Sequence, residues 1–199
     1  MSRLFVRVGD VVRERDVAEF TEAASIANFV WLHLDGATDD VAHILSRIPD
    51  IPPPAAAALK AQETRPRCAS FGHGALVNLR GLGNPSAIDG DPLVSIRIWA
   101  QSRLAVSLSY RQLTILDRLT DDMLTGRLAD PGDLISATAL AITDMLDPEI
   151  ADLGDALDSI ECRVVDEGKA GERLRVAELR TTAISYRRFL APQRQAMER

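Results

Sequence analysis

A chain of 199 residues is long enough to bury a substantial core, and 46% hydrophobic with 26% charged residues is the composition of a folded protein, which excludes wholesale disorder. The formal net charge of −6 argues against a nucleic-acid-binding protein, because phosphate binding needs a concentrated basic surface. Two distant cysteines without a CxxC pair indicate neither a disulfide framework nor a zinc ribbon. The first residues lack the apolar run of a secretory signal, and no charge-free run approaches the roughly 18 residues that span a bilayer, so we expect a water-soluble polypeptide.

The first part of the chain contains four stretches that predict β-structure. Residues 4–8 and 29–35 are β-branched and aromatic runs, and residues 75–82 alternate apolar with polar side chains. Residues 92–110 form a longer stretch that breaks at residues 100–103, which predicts a β-hairpin.

Helices are predicted between these strands, over residues 38–48, 52–63 and 113–128. Thr38 is the expected N-cap of the first helix, and prolines open the second, where they are tolerated. Because strands and helices mingle without strict βαβ alternation, we expect an α/β (α+β) fold with a mixed sheet covered by helices over residues 1–130.

From about residue 131 onward the pattern is helical. One apolar stripe steps by 4, 3, 4, 3 and 4, and a second steps by 3, 4, 3 and 4 after a break at 168–171. The stripes are Leu146, Ile150, Leu153, Leu157, Ile160 and Val164, then Val176, Leu179, Ala183, Tyr186 and Leu190. Residues 131–199 are therefore predicted to form a long antiparallel helical hairpin, as a second domain.

The two arms of this hairpin differ in charge. Residues 144–167 carry nine acids and one arginine, whereas residues 169–199 carry eight bases and three acids. We expect pairing between the arms, each exposed pair contributing about 0.2–1 kcal/mol.

Few residues suggest catalysis, and we expect a protein that is not an enzyme. The three histidines are His33, His43 and His73, and no nucleophile lies at a recognisable spacing from a base. His33 and Asp35 share a strand face and form the single pair that suggests an active site or a metal ligand.

Acids recur every three residues along the first arm, at Glu149, Asp152, Asp155, Asp158 and Glu161. Their oxygens suit Mg²⁺ or another divalent ion, although a solvated helix face explains the same pattern. Arg65 and Arg67 flank a proline in a stiff turn, and we expect them to form a structural ion pair or an interdomain or intersubunit clamp.

Three stretches in this order, "FVWLHLDGATDD", "ALKAQETRPRC" and "YRRFLAPQRQA", resemble the cytosolic part of the CorA superfamily of divalent-cation channels and transporters. The Ala-Pro-Gln-Arg of the last stretch is most similar to the ZntB-like zinc-transporter branch. The resemblance extends from about residue 4 to the end of the chain.

This resemblance implies an α/β/α sandwich, an acidic helical hairpin and a stalk helix that continues into two transmembrane helices, five chains forming a funnel around the ion path. The chain is then the cytoplasmic domain of an inner-membrane protein, a homopentamer that handles Zn²⁺ or Mg²⁺ and requires no cofactor. The Gly-Met-Asn pore signature of the family has no match here, so we expect it beyond Arg199.

Within that interpretation, Asp152, Asp155 and Asp158 are the candidate metal-attracting residues. The candidate structural or interface residues are Arg65, Arg67, Arg187, Arg188, Pro192 and Arg194. The alternative is a soluble adaptor that self-associates through its helical hairpin, because heptad-like stripes serve self-association as readily as packing within a chain.

Overall fold

The computed structural model describes residues 2–49, 51–62, 65–84, 92–167 and 170–198, with side chains for all of these except 161–167 and 170–173. Within these residues one sheet of seven strands forms in the order β2-β1-β3-β7-β6-β5-β4. The strands are β1 (Arg3–Val8), β2 (Val11–Arg15), β3 (Phe29–Asp35), β4 (Arg67–Phe71), β5 (Gly74–Leu82), β6 (Leu93–Gln101) and β7 (Leu104–Ser109). β3 and β7 run parallel and the other neighbours antiparallel, which confirms the mixed sheet.

The helices lie between and after the strands. They are α1 (Phe20–Ile26), α2 (Val41–Ser46), α3 (Pro53–Lys60), α4 (Leu116–Leu124), α5 (Pro131–Glu167) and α6 (Ala170–Met197). Part of the predicted turn at 168–171 and the last residue of the helix predicted over 52–63 lie outside the described residues.

Several local predictions need correction. Strands β2 and β4 and helix α1 were not predicted, and α2, α3 and α4 are shorter than expected. The predicted N-cap Thr38 is wrong, because the carboxylate of Asp40 caps α2 by accepting from the backbone N–H of His43 at 3.1 Å. The β6–β7 hairpin is confirmed, and its turn holds Ser102 at a φ of 41°.

Each face of the sheet carries its own apolar core. One core joins the sheet to α1, α2 and α3, through residues such as Phe20, Leu45 and Leu59. The other joins it to α4, α5 and α6, and includes Leu119 and Ile142. Helices therefore cover both faces, as the predicted sandwich requires, and the hairpin helices share the core of the α/β region. The division into two domains at residue 130 stays a prediction.

Candidate functional site

Helix α5 packs closely against β5 at the start of the hairpin. Leu134, Ile142 and Leu146 are at most 2% exposed there. Ile142 lies over Gly81, where an added Cβ would come within 2.9 Å of its Cγ1. A side chain at position 81 would therefore push α5 away from the sheet, and the glycine fixes how closely the helix approaches.

Helix α6 packs beside α5 near an unpaired stretch of β5. Strand β4 begins at Arg67, opposite Asn78, so the following residues of β5 have no described strand on that side. There the backbone N–H of Arg80 donates to Oε1 of Gln193 at 2.7 Å. The Arg80 guanidinium lies 3.9 Å from the ring centroid of Phe189, and its Nη2 donates to the carbonyl of Leu93 at 2.6 Å. One arginine of the sheet thus contacts two successive turns of α6.

We call residues 131–146 and 186–196 the seat of the hairpin, because they pack on the sheet, and residues 147–185 its outer arm. In the seat, Tyr186, Phe189, Gln193 and Ala196 are buried. In the outer arm, Ile160 is buried but Ile150, Leu174 and Ile184 are 40%, 66% and 59% exposed. The described part of the outer arm therefore leaves apolar side chains uncovered at these three positions.

The predicted apolar stripes are only partly buried. Leu146, Ile160 and Tyr186 are buried as expected, whereas Ile150 is exposed and Leu190 is half-buried. The side chain of Val164 lies outside the described residues. Beyond Tyr186 the buried stripe continues through Phe189 instead of Leu190, because α6 there contacts β4 and β5 as well as α5.

The expected ion pairs between the arms are absent among the side chains that the structure describes. Asp144 of α5 instead pairs with Arg118 of α4 at 2.7 Å, and Arg194 pairs with Glu198 on its own helix at 2.9 Å. Among the described side chains of the outer arm, the charged ones, such as Asp152, Asp155 and Arg180, are exposed to solvent.

The candidate metal residues Asp152, Asp155 and Asp158 are all exposed on the outer arm. A step of three residues turns about 60° around a helix, so these carboxylates fan out rather than converge. Over the described part of the chain, no group of three or more His, Cys, Asp or Glu side chains could hold a metal ion. Attraction of cations by this acidic face stays a prediction.

The candidate interface residues lie on the surface, with one exception. Arg65 and Arg67 are exposed on either side of the buried Pro66, and neither has an ion-pair partner among the described residues. Arg187, Arg188 and Arg194 are exposed on α6, while Pro192 is half-buried inside this helix, which continues through it. Their role in an interface stays a prediction.

His33 and Asp35 lie on one face of β3 as predicted, but His33 is committed to a buried hydrogen-bond network. Its Nδ1 lies 2.9 Å from Oγ of Ser107, which also accepts from Nε1 of Trp31 at 2.8 Å. Burial lowers the pKa of His33 to about 4, although the nearby carboxylate of Asp35 favours its charged form. Because Ser107 is only 1% exposed, a substrate cannot reach its hydroxyl group.

A buried arginine near the Arg-Pro-Arg turn was missed at the sequence level. Arg97 of β6 is 1% exposed, its Nη2 donates to the carbonyl of Gln62 at 2.7 Å, and its guanidinium lies over the ring of Tyr110 at 5.1 Å. Burial lowers its pKa to about 10. A charged residue that alternates with apolar ones in a strand normally faces solvent, so the sequence carries no signal for this burial.

Comparison with known proteins identifies the family. The model of the CorA-like Mg²⁺ transporter protein family matches residues 27–199. The chain belongs to this CorA-like family. Members are described as transporters, in agreement with the expectation of a protein that is not an enzyme.

Three solved structures with a fold similar to that of this chain are the following. The full-length CmaX protein is 25% identical with a TM-score of 0.81, and the match covers 98% of this chain and 60% of CmaX. The ZntB cytoplasmic domain from Vibrio parahaemolyticus RIMD 2210633 is 16% identical, with a TM-score of 0.77 and coverage of 98% and 77%. The soluble domain of CorA from Methanocaldococcus jannaschii is 15% identical, with a TM-score of 0.74 and the same coverage.

These matches confirm the predicted fold, and this CorA-like chain spans about three fifths of the length of the CmaX protein. None of the helices in the described part of the chain combines the length and apolar character that crossing a membrane requires.

Proposed function

We propose that the chain is the cytosolic domain of a ZntB-like divalent-cation transporter, and that five copies form a funnel that guides or senses Zn²⁺ or Mg²⁺. The observation that carries the proposal is the family match over residues 27–199, together with a fold shared with the ZntB and CorA domains. The seat supports it further, because it connects a long helical arm rigidly to a compact sheet.

The reading frame beyond Arg199 provides the first test. We expect it to encode two apolar segments of about 20 residues each, the length that spans a bilayer as helices. A transport assay of the encoded protein in liposomes should then show uptake of Zn²⁺ or Mg²⁺ that an empty liposome lacks. A reading frame without such segments would contradict the proposal.

The uncovered apolar side chains of the outer arm support self-association. Ile150, Leu174 and Ile184 are exposed on helices that also carry exposed charged side chains in their described part, and neighbouring copies can cover both. Analytical ultracentrifugation over a concentration series should show a pentamer for a chain that includes the membrane segments. A stable dimer would favour the adaptor alternative.

A pair of variants localises the contact. Ile184→Lys should weaken association at least tenfold, because it places a charge in the covered surface. Ile26→Lys changes an equally exposed side chain, 61% against 59%, on α1 at a different part of the molecule, and should leave association unchanged.

The acidic face of the outer arm supports a cation-attracting role through its field. We expect Asp152→Lys with Asp155→Lys to weaken the binding of divalent ions, measured by calorimetry with Zn²⁺ and with Mg²⁺. The matched control, Asp10→Lys with Glu22→Lys, changes the net charge equally at exposed sites away from the arm. Equal binding by both double variants would remove the role of this face.

A further inference from the structure

A groove of about 280 Å³ lies between strand β2 and helix α1, at the edge of the sheet. The buried side chains of Val6 and Ala23 form its floor, and the exposed side chains of Val8, Val11 and Ile26 line one end of it. The volume lies just below the roughly 300–1,000 Å³ of sites for drug-sized ligands, so the groove suits a smaller molecule.

The packing of α1 explains why the groove forms at this edge. Helix α1 makes its main sheet contacts with β1 and β3, whereas β2 contacts α4 on the opposite face of the sheet. Side chains alternate along a strand, so Val12 of β2 packs into the core on the α4 side, and Arg13 lies on the α1 side. The α1 side of β2 is therefore left beside the helix instead of beneath it.

The two ends of the groove differ in character. At one end, Nη1 of Arg15 donates to Oε2 of Glu19 at 3.0 Å, and this ion pair closes the groove. At the other end, Oδ1 of Asn28, which follows α1, accepts from the backbone N–H of Gly9 in the turn between β1 and β2 at 2.6 Å. Helix α1 and strand β2 therefore run in opposite directions, and the aliphatic end of the groove lies near this turn.

Two opposite charges face the middle of the groove. Arg13 comes two residues before Arg15 in β2, and Glu22 comes three residues after Glu19, so they lie about 7 and 5 Å from the closed end, on opposite walls. Both side chains are exposed, and within the described part of the chain neither forms an ion pair. Both are therefore available to a ligand.

This arrangement of charges selects the class of ligand. An alkyl carboxylate would be attracted by Arg13 and repelled by Glu22, and an alkyl amine would meet the reverse. A zwitterion matches both walls. Every apolar residue that lines the groove is aliphatic, so an aliphatic group of the ligand would cover the exposed methyl groups at the open end.

We propose that this groove binds an L-amino acid with a branched aliphatic side chain, its carboxylate towards Arg13 and its ammonium towards Glu22. The side chain of the amino acid lies at the aliphatic end of the groove. The proposal does not depend on the transport function. A bound amino acid joins α1 to β2, and β2 contacts α4 on its other face, so binding stabilises this edge of the sheet.

Thermal unfolding of the chain during titration with L-leucine, L-isoleucine or L-valine tests the proposal. An amino acid that binds should raise Tm by about 2–4 °C at about five times its Kd. Glycine lacks the side chain, N-acetyl-L-leucine lacks the ammonium and L-leucinol lacks the carboxylate, so each should leave Tm unchanged at the same concentration. An equal shift with one of these three compounds, or no saturable shift with any of the three amino acids, would overturn the proposal.

Two variants test the charged walls. Arg13→Gln and Glu22→Gln should each weaken binding by about tenfold or more, because each removes one charged partner of the ligand. The matched controls Arg180→Gln and Glu178→Gln change exposed side chains of the same two kinds on α6, and should retain the full shift in Tm. All four side chains are exposed, so we expect the variants to fold. A full shift in Arg13→Gln or in Glu22→Gln would refute the site.

Methyl NMR spectra of the chain locate the binding independently of Tm. Addition of L-leucine should cause saturable changes in the methyl signals of Val11 and Ile26. The methyl signals of Ile150 and Leu174, which are also exposed but lie on the outer arm, should not change. Saturable changes on the outer arm without changes at Val11 and Ile26 would place the binding elsewhere and refute the site.

Discussion

The seat and the outer arm belong to the same two helices, yet they differ in what holds them. The seat packs apolar side chains into the sheet and adds the contacts of Arg80 with Phe189 and Gln193. In the described part of the outer arm, by contrast, Ile150 and Ile184 remain exposed. A helix gains most of its stability from tertiary packing, so the seat fixes the direction of the hairpin and the outer arm presents a surface.

Truncation of a leucine should distinguish the two regions most strongly. Leu146→Ala in the seat removes a side chain that is 2% exposed and should reduce the free energy of unfolding by about 2–5 kcal/mol. Leu174→Ala in the outer arm changes a side chain that is 66% exposed and should stay within about 0.5 kcal/mol. Urea unfolding followed by circular dichroism measures both. Equal losses would mean that the outer arm is as well supported as the seat.

The sheet, unlike the outer arm, should make the free energy of unfolding depend on pH, because it contains the buried His33. The pKa of His33 is about 4 in the folded chain and about 6.5 in the unfolded one, so only the unfolded chain takes up this proton between those values. The contribution of neutral His33 to the free energy of unfolding is fully present above pH 6.5. It is lost as the pH falls towards 4, by up to about 1.4 kcal/mol per pH unit.

Urea unfolding should therefore show a loss of about 2 kcal/mol between pH 7 and pH 5. The double variant His43→Gln, His73→Gln removes two exposed histidines and should keep that loss. If it abolishes the loss instead, the pH dependence does not come from His33.

The hydrogen bond between the sheet and α6 should make a smaller contribution. Gln193→Ala leaves the backbone N–H of Arg80 without its acceptor, which should cost about 1–2 kcal/mol of unfolding free energy. Gln195→Ala is the matched control, because Gln195 is exposed on the same turn and should have almost no effect. A loss in the control as large as in Gln193→Ala would attribute the effect to the helix itself.

The smallest effect is expected at the boundary between the two regions, where Arg118 pairs with Asp144. Both side chains are about half exposed, so Arg118→Gln should cost less than about 1 kcal/mol, and the difference from the wild type should vanish near 1 M salt. Thermal unfolding at low and high salt measures it. A cost that persists in high salt would show that packing, and not charge, acts at this position.

The sequence predicted the central strands of the sheet well and its edge strands poorly. The apolar runs of β3, β6 and β7 mark strands that are buried on both faces, and this is the pattern that periodicity detects. Strand β2 reads "VVRER" and is mostly exposed at the edge of the sheet, so it lacks that pattern. Charged residues in an edge strand discourage pairing with other chains, and they also conceal the strand from prediction.

The sequence failed to predict the contacts of the candidate site for a different reason. A heptad stripe describes a helix with one partner, and α6 changes partner near Tyr186, where it reaches the sheet. The steps from Tyr186 through Phe189 and Gln193 to Ala196 are also 3, 4 and 3, so spacing alone could not choose between the two stripes. The contact of His33 with Ser107 depends on the pairing of β3 with β7, and residues 74 positions apart in the chain give no local signal of that pairing.

Pro148 lies inside α5, two residues beyond the last buried leucine of the seat. It has no N–H to donate to the carbonyl of Asp144, so the helix lacks one backbone hydrogen bond at this turn. Helix α5 leaves the sheet at this point, and the missing hydrogen bond makes the helix easier to bend here than within the seat. A sideways force on the far end of the hairpin is therefore absorbed as curvature near residue 148, and the sheet keeps its shape.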